Sequence, residues 1–291
     1  RNEPLSEDEL IERLTGARAI LQLNGSGTNE ITERVLRAVG TVEAVVLAHS
    51  AWSGDLWRTA AQCGVKTVEG SNAVDLAVAE WTVGVSILGM RRLLDAGASL
   101  KGEGVWQKDW QQASLLYGST VGLLGLGRIG RIVSRYFRTL GTRVIAYDKY
   151  MKPSDAERLG VTLVGLEELL RTADVVSLHL PVTPETSGLL GAREFGLIKD
   201  GAVLVNSARA ALYDEAALAN ELRKERFHAF IDVFSQEPLP AEHPFRTLKN
   251  VFISSHVAGT NAVMYERCGA DAVETLRLYF EGKGLRDMRY V

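Results

Sequence analysis

The feature that most constrains this chain is a glycine-punctuated turn between an apolar run and an amphipathic one. Residues 119–124 read as a buried strand, Gly125-x-Gly127-x-x-Gly130 follows at once, and 131–140 reads as a helix. A second strand-like run, 143–147, then ends at Asp148, 18 residues beyond Gly130. In such a unit Gly125 permits the tight turn, Gly127 lets backbone approach a pyrophosphate, and Gly130 lets helix and strand pack closely. The helix N-terminus offers N–H groups and a partial positive charge to phosphates. A glycine turn alone also serves plain packing; the strand, helix and acid in this order point to dinucleotide binding. Asp148 can accept from both ribose hydroxyls and repels a 2′-phosphate, which favours NAD over NADP, although Lys149 beside it weakens that preference. A second Gly-x-Gly, Gly25-Ser26-Gly27, lacks a third glycine and a downstream acid and reads as a surface loop.

Around this unit strands and helices alternate nearly throughout. Short apolar runs at 19–23, 44–48 and 65–69 precede a long helix at about 73–96, and further strands are predicted at 174–180, 202–206, 228–233 and 251–254. The stretch 97–118 reads as a surface connection and 261–280 as a last helix. Such alternation predicts an α/β fold with parallel sheets covered on both faces. Two doubly wound parallel-sheet domains are expected, with a cleft between them: 1–74 plus 265–291, and 75–264. A length of 291 residues exceeds what one ordinary core needs.

Composition narrows the class of partner. With 33 basic and 36 acidic residues, a net charge of -3 and no long basic block, a general grip on nucleic acid or membrane is not expected. The apolar stretch 74–94 carries Asp75, Glu80, Arg91 and Arg92 and reads as a buried helix rather than a membrane span. Cys63 and Cys268 are too few for a disulfide framework and lack metal-ligand spacing, so no metal is expected and a cytoplasmic setting fits.

In open parallel sheets ligands sit beyond the carboxyl ends of strands. Arg209, Glu237 and His256 each follow a predicted strand of the second domain. A guanidinium fork matches a carboxylate, an imidazole gives or takes a proton near neutral pH, and a neighbouring carboxylate favours the charged imidazole and fixes its tautomer. Each residue also has a plain reading: Arg209 as a surface cation, Glu237 before Pro238 as a turn residue, His256 as a structural histidine. His179, His228 and His243 rank lower, within a strand, at a strand start and in a proline-bounded loop. His49 ends a strand of the first domain and faces the expected cleft.

Taken in order, these motifs resemble the D-isomer-specific 2-hydroxyacid dehydrogenases. Ala77-Val78-Ala79-Glu80 resembles the start of that family's interdomain helix, and Val121 to Gly130 its nucleotide fingerprint. Leu178-His179-Leu180-Pro181 to Thr186 is similar to its loop beside the adenosine. Asn206-Ser207-Ala208-Arg209 with Tyr213-Asp214-Glu215, Asp232-Val233-Phe234 with Glu237-Pro238-Leu239-Pro240, and Asn250 to His256 resemble its arginine, glutamate and histidine motifs. Glu281-Gly282-Lys283 resembles the end of its last helix.

The resemblance implies two Rossmann-like or flavodoxin-like domains and an NAD-dependent oxidoreductase acting on a 2-keto/2-hydroxy acid pair. It implies that Arg209 holds the substrate carboxylate and that His256 is the general acid/base, oriented by Glu237. It places Gly125, Gly127, Arg128, Ile129, Gly130, Asp148, Leu180, Pro181, Ser207, Ala208, Asp232 and Gly259 beside the cofactor, with Asp232 near the nicotinamide carboxamide. It also implies a homodimer built through the cofactor domain and its long helix. Several positions depart from the pattern: Ala210 follows the arginine, Ser255 precedes the histidine, Ala258-Gly259 follows it, and Ser50-Ala51-Trp52-Ser53-Gly54-Asp55 stands at the substrate loop. Two other readings share the fold: a dinucleotide-sensing corepressor-like binding protein, and a relative acting on another small substrate such as formate, whose histidine pairs with an amide where this chain has Glu237.

Overall fold

A computed structural model describes residues 5–22, 31–48, 54–69, 72–102, 104, 106 and 113–284. His49, Trp52 and the Gly25-Ser26-Gly27 loop lie outside the described residues. The chain divides into two compact units, one taking residues up to Asp75 and from Thr260 onward, the other Leu76–Gly259.

The first unit contains α1 (Glu7–Leu14), β1 (Ala19–Gln22), α2 (Glu33–Val39), β2 (Ala44–Leu47), α3 (Gly54–Gln62) and β3 (Lys66–Glu69). The division falls within α4 (Asn72–Met90). The second unit continues with α5 (Leu93–Gly102), β4 (Thr120–Leu124), α6 (Arg128–Thr139), β5 (Arg143–Tyr147), α7 (Pro153–Arg158), β6 (Thr162–Leu163), α8 (Leu166–Thr172) and β7 (Val175–Leu178). It ends with α9 (Ala192–Phe195), β8 (Val203–Asn206), α10 (Glu215–Leu222), β9 (His228–Ile231) and β10 (Val251–Ile253), and α11 (Ala262–Phe280) belongs to the first unit.

In the first unit β1, β2 and β3 form a parallel sheet in that order. All four residues of β2 are buried, as a central strand covered on both faces requires. Val45 and Leu47 join Leu36, Leu56 and Ala60 on one face, while Val46 packs with Met264, Cys268 and Ala272 of α11 on the other. The end of α11 is tied to the same sheet: the Tyr279 hydroxyl donates to Glu43, which also accepts from Arg18.

The second unit is a seven-stranded, wholly parallel sheet in the order β10-β9-β8-β7-β4-β5-β6. Its strands are almost continuously apolar because both faces are buried. Val121, Leu123, Val175, Val203, Val205 and Phe230 point into one core, and Leu124, Val176, Leu178, Leu204 and Ile231 into the other. Sequence order reverses between β4 and β7, so the crevice for a ligand lies at the carboxyl ends of these two strands.

The structure corrects four expectations. The helix predicted over 73–96 stops at Met90, where Arg92 adopts a left-handed φ of 53°, and restarts as α5. A left-handed residue cannot continue a right-handed helix, and the apolar periodicity carried straight across it. The connection expected over 97–118 therefore begins as helix. A helix stands at Glu7–Leu14, where none was predicted, started by a Ser6–Glu9 capping box. The two-residue strand β6 at the sheet edge was too short for its pattern to register.

Candidate active site

The glycine turn joins β4 to α6 at the switch point. Gly125 has φ 101°, a conformation L side chains rarely adopt, and a Cβ there would lie 2.8 Å from the His179 carbonyl oxygen. A Cβ on Gly130 would collide with the Gly125 carbonyl oxygen, whereas a Cβ on Gly127 would meet nothing within 4 Å. The first and third glycines thus close the turn, and the second borders open space. Gly127 is the N-cap of α6 and makes no side-chain cap bond, so the positive end of that helix faces this space, with Arg128 and Ile129 in its first turn.

Asp148, just after β5, is gripped by three backbone amides. One carboxylate oxygen accepts from the Leu126 amide at 2.8 Å, and the other accepts from the Tyr150 and Met151 amides at 2.9 and 3.0 Å. It locks the glycine turn to the next loop while remaining partly exposed. Lys149 is turned to Glu185, 3.2 Å away, which also accepts from the Tyr150 hydroxyl. Leu180 and Pro181 extend from β7, and the Leu180 amide lies against Gly125. His179 bonds Ser177 at 2.9 Å, and burial pushes its imidazole down to about 4, so it is neutral at ordinary pH.

The second group stands at the ends of β8, β9 and β10. Fully buried Asn206 shapes the turn after β8: its carbonyl accepts from the Ala208 amide at 2.9 Å and its amide donates to the Arg209 carbonyl at 3.0 Å. The Arg209 side chain is exposed as a result. The buried Ser207 hydroxyl has no hydrogen-bond partner among the described residues. After β9, buried Asp232 accepts from the Val257 amide at 2.9 Å, the Ala258 amide at 2.8 Å and the Ser254 hydroxyl. All three donors lie in the segment that carries His256 and leads to Gly259.

Glu237 and His256 meet. The His256 Nδ1 lies 2.8 Å from one Glu237 carboxylate oxygen, and the other oxygen accepts from the Phe234 amide at 2.9 Å. Burial draws the Glu237 carboxyl upward, but the His256 bond, the Phe234 amide and the nearby Arg209 charge outweigh it and hold the carboxyl below its usual range. A carboxylate at Nδ1 places the proton of the neutral ring there and leaves Nε2 as the working nitrogen. The imidazole remains about half exposed. A cavity of about 720 Å³ opens beside the pair.

Sequence reasoning missed a second imidazole–carboxylate pair that braces the first. His243 Nε2 lies 2.6 Å from Glu215, which also accepts from the Ser235 amide and hydroxyl, both at 3.0 Å. The Phe245 amide donates to His243 Nδ1, so the proton sits on Nε2, toward Glu215. Ser235 lies in the turn that presents Glu237, so this cluster fixes that turn from behind. The signal available was a histidine in a proline-bounded loop six residues after Glu237.

The predicted residues fall into these two groups, along the carboxyl ends of one sheet. The turn left open at Gly127, the uncapped helix, the partly exposed Asp148 and the unpartnered Ser207 hydroxyl fit a dinucleotide.

Residues 83–258 match the family described as D-isomer specific 2-hydroxyacid dehydrogenase, NAD binding domain. The chain is 36% identical over 225 residues to D-3-phosphoglycerate dehydrogenase of Mycobacterium leprae, a match covering 77% of this chain and 42% of that protein. It is 30% identical over 285 residues to glyoxylate reductase of Korarchaeum cryptofilum, covering 96% of this chain and 85% of that one. A solved structure of a Thermus thermophilus protein superimposes with a TM-score of 0.80 at 32% identity, covering 99% of this chain and 90% of that chain. The NAD-complexed D-isomer specific 2-hydroxyacid dehydrogenase of Lactobacillus delbrueckii, at 22% identity and a TM-score of 0.82, shares the fold. The chain spans less than half the length of the mycobacterial relative. On the sequence match and the shared architecture, the chain belongs to the D-isomer-specific 2-hydroxyacid dehydrogenases.

Proposed function

We propose that this protein interconverts a 2-keto acid and the matching D-2-hydroxy acid with NAD(H), with His256 as the general acid/base. The 2.8 Å contact between His256 Nδ1 and Glu237 carries this reading, because it aims the opposite ring nitrogen outward and supplies a charge to balance an imidazolium. The bound dinucleotide supplies or accepts the hydride. In the reductive direction His256 Nε2 gives its proton to the keto oxygen, and in the oxidative direction it takes the hydroxyl proton. The Arg209 guanidinium holds the substrate carboxylate and presents the carbonyl in a reactive geometry. Glu237 orients the ring, and Asp232 fixes the backbone beneath it. Gly127 and the start of α6 would receive the pyrophosphate of a dinucleotide, and Asp148 would accept from its ribose.

Pairing of two copies through the second unit is part of the proposal. Leu93, Leu94, Leu100, Trp106, Leu115 and Tyr117 are all exposed within one stretch of chain, a concentration of apolar surface that favours a partner.

The test is NADH consumption with glyoxylate, hydroxypyruvate, pyruvate and larger 2-keto acids, with NADPH run in parallel. Activity on at least one acid is expected, with NADH preferred. His256→Ala should lower kcat by about 100- to 10,000-fold while NADH binding survives. Near-normal turnover in that variant removes His256 from the role.

A further inference from the structure

Two loops flank the glycine turn. One follows β5 and carries Asp148, Lys149 and Tyr150; the other follows β7 and carries Glu185; β4 lies between those strands in the sheet. An ionic clasp spans the two loops. One Glu185 carboxylate oxygen lies 3.2 Å from Lys149 Nζ and accepts from the Tyr150 hydroxyl, also at 3.2 Å. Both ends are built to present it. The Thr186 hydroxyl accepts from the Thr183 amide at 2.8 Å and donates to the Pro181 carbonyl at 2.6 Å, which stiffens the turn carrying Glu185. Asp148 accepts from the Tyr150 amide at 2.9 Å, which fixes the start of the other loop. The Lys149 ammonium holds the Glu185 carboxyl below its usual range, and Glu185 raises Lys149 above its own, so both are charged at neutral pH. Lys149 directly follows the acid read as the ribose acceptor. A free ammonium there is placed to meet a 2′-phosphate, the group that Asp148 repels. Glu185 occupies that ammonium instead.

We propose that Glu185 is a positioning residue for cofactor discrimination: by drawing Lys149 to the loop after β7 it withholds that cation from a 2′-phosphate and sharpens the preference for NAD(H) over NADP(H). The inference rests on the reading that Asp148 accepts from the cofactor ribose, and adds to it what decides the behaviour of the basic neighbour. Both side chains of the pair are about half exposed and screened by water, so the effect is a modest factor and not an absolute filter.

The experiment titrates the full chain with NADH and with NADPH, following nucleotide fluorescence, for the parent, Glu185→Gln, Lys149→Gln and the double variant. The parent should bind NADH more tightly. Glu185→Gln should tighten NADPH by about two- to fivefold and leave the NADH Kd within about 1.5-fold, a gain that a merely structural residue does not produce. Made on Lys149→Gln, the same substitution should tighten NADPH by less than about 1.5-fold, because the ammonium it releases is gone. A gain of similar size without Lys149 would mean that Glu185 repels the phosphate by its own charge, and that overturns the proposal. An NADPH Kd that does not move in Glu185→Gln overturns it too, as does loss of both dinucleotides in that variant. In each of these cases a parent that prefers NADH keeps the ribose reading of Asp148. A parent that binds both dinucleotides alike, or neither, removes that reading and the inference with it.

Discussion

The peptide N–H of His256 donates to the backbone carbonyl of Asp232 at 2.9 Å, and across this bond His256 holds a left-handed φ of 56°. A non-glycine residue in that region is strained by roughly 1–3 kcal/mol and persists only where its surroundings over-determine it. Here they do, since the Asp232 carboxylate binds residues on both sides of the histidine. Asp232→Ala should therefore lower unfolding stability by about 2–4 kcal/mol and kcat by at least about tenfold. Urea unfolding and initial rates check this, and a variant with both values unchanged would show that the clamp is idle.

The three glycines should separate by experiment. Gly130→Ala forces a Cβ onto the Gly125 carbonyl oxygen and should destabilise the protein by about 1–3 kcal/mol. Gly127→Ala meets open space and should cost no more than about 1 kcal/mol, yet, on the proposed binding of the pyrophosphate there, weaken NADH binding at least about tenfold. Thermal unfolding beside NADH fluorescence titration distinguishes the two. Equal NADH affinity in Gly127→Ala and the parent would place the cofactor elsewhere.

His179 should shape the acid limb of stability. Its folded pKa lies at about 4, below the ordinary 6.5, because burial disfavours the charged ring. Above 6.5 both folded and unfolded states are neutral and nothing is lost. As pH falls through 6.5 the unfolded chain takes up a proton that the native site refuses, so stability declines until about pH 4 and then levels. The loss is at most about 3 kcal/mol. His179→Gln should flatten this part of the curve relative to the parent. Parallel curves from pH 7 to 4 would refute the assignment. Glu237 adds a decline at lower pH, since a carboxyl held below its usual range stabilises above its unfolded pKa and loses that contribution as pH falls through its folded one.

Glu215 and His243 should behave as one device. His243→Gln or Glu215→Gln frees the Ser235 turn and loosens Glu237, so kcat should fall by about 10-fold with little change in NADH affinity. The double variant should be scarcely worse than either single one, because both remove the same contact. Fully additive losses would show that the two residues act separately.

The exposed apolar residues of 93–117 predict a concentration-stable dimer. Leu94→Asp with Leu115→Asp should shift the mass measured by light scattering toward a single chain. A parent chain that already runs as a monomer at micromolar concentration would end the pairing proposal.

The local chemistry of the sequence determined a great deal. Apolar runs of strand length, separated by helices, dictated parallel sheets with two covered faces. The glycine spacing dictated a strand–turn–helix unit, because only glycine tolerates the φ of residue 125 and the contact at residue 130. Both are short-range properties, readable within one or two elements. Tertiary structure decided what lies far apart along the chain. Glu237 and His256 are 19 residues apart, and Glu215 and His243 are 28; their meeting depends on which strand ends adjoin, and no local pattern encodes it. The grip of Asp148 on three backbone amides, the engagement of Lys149 with Glu185 and the left-handed turn at His256 are likewise hydrogen-bond choices between loops. Periodicity reports which face a residue takes, but the partner across a gap is chosen only when the whole sheet has formed.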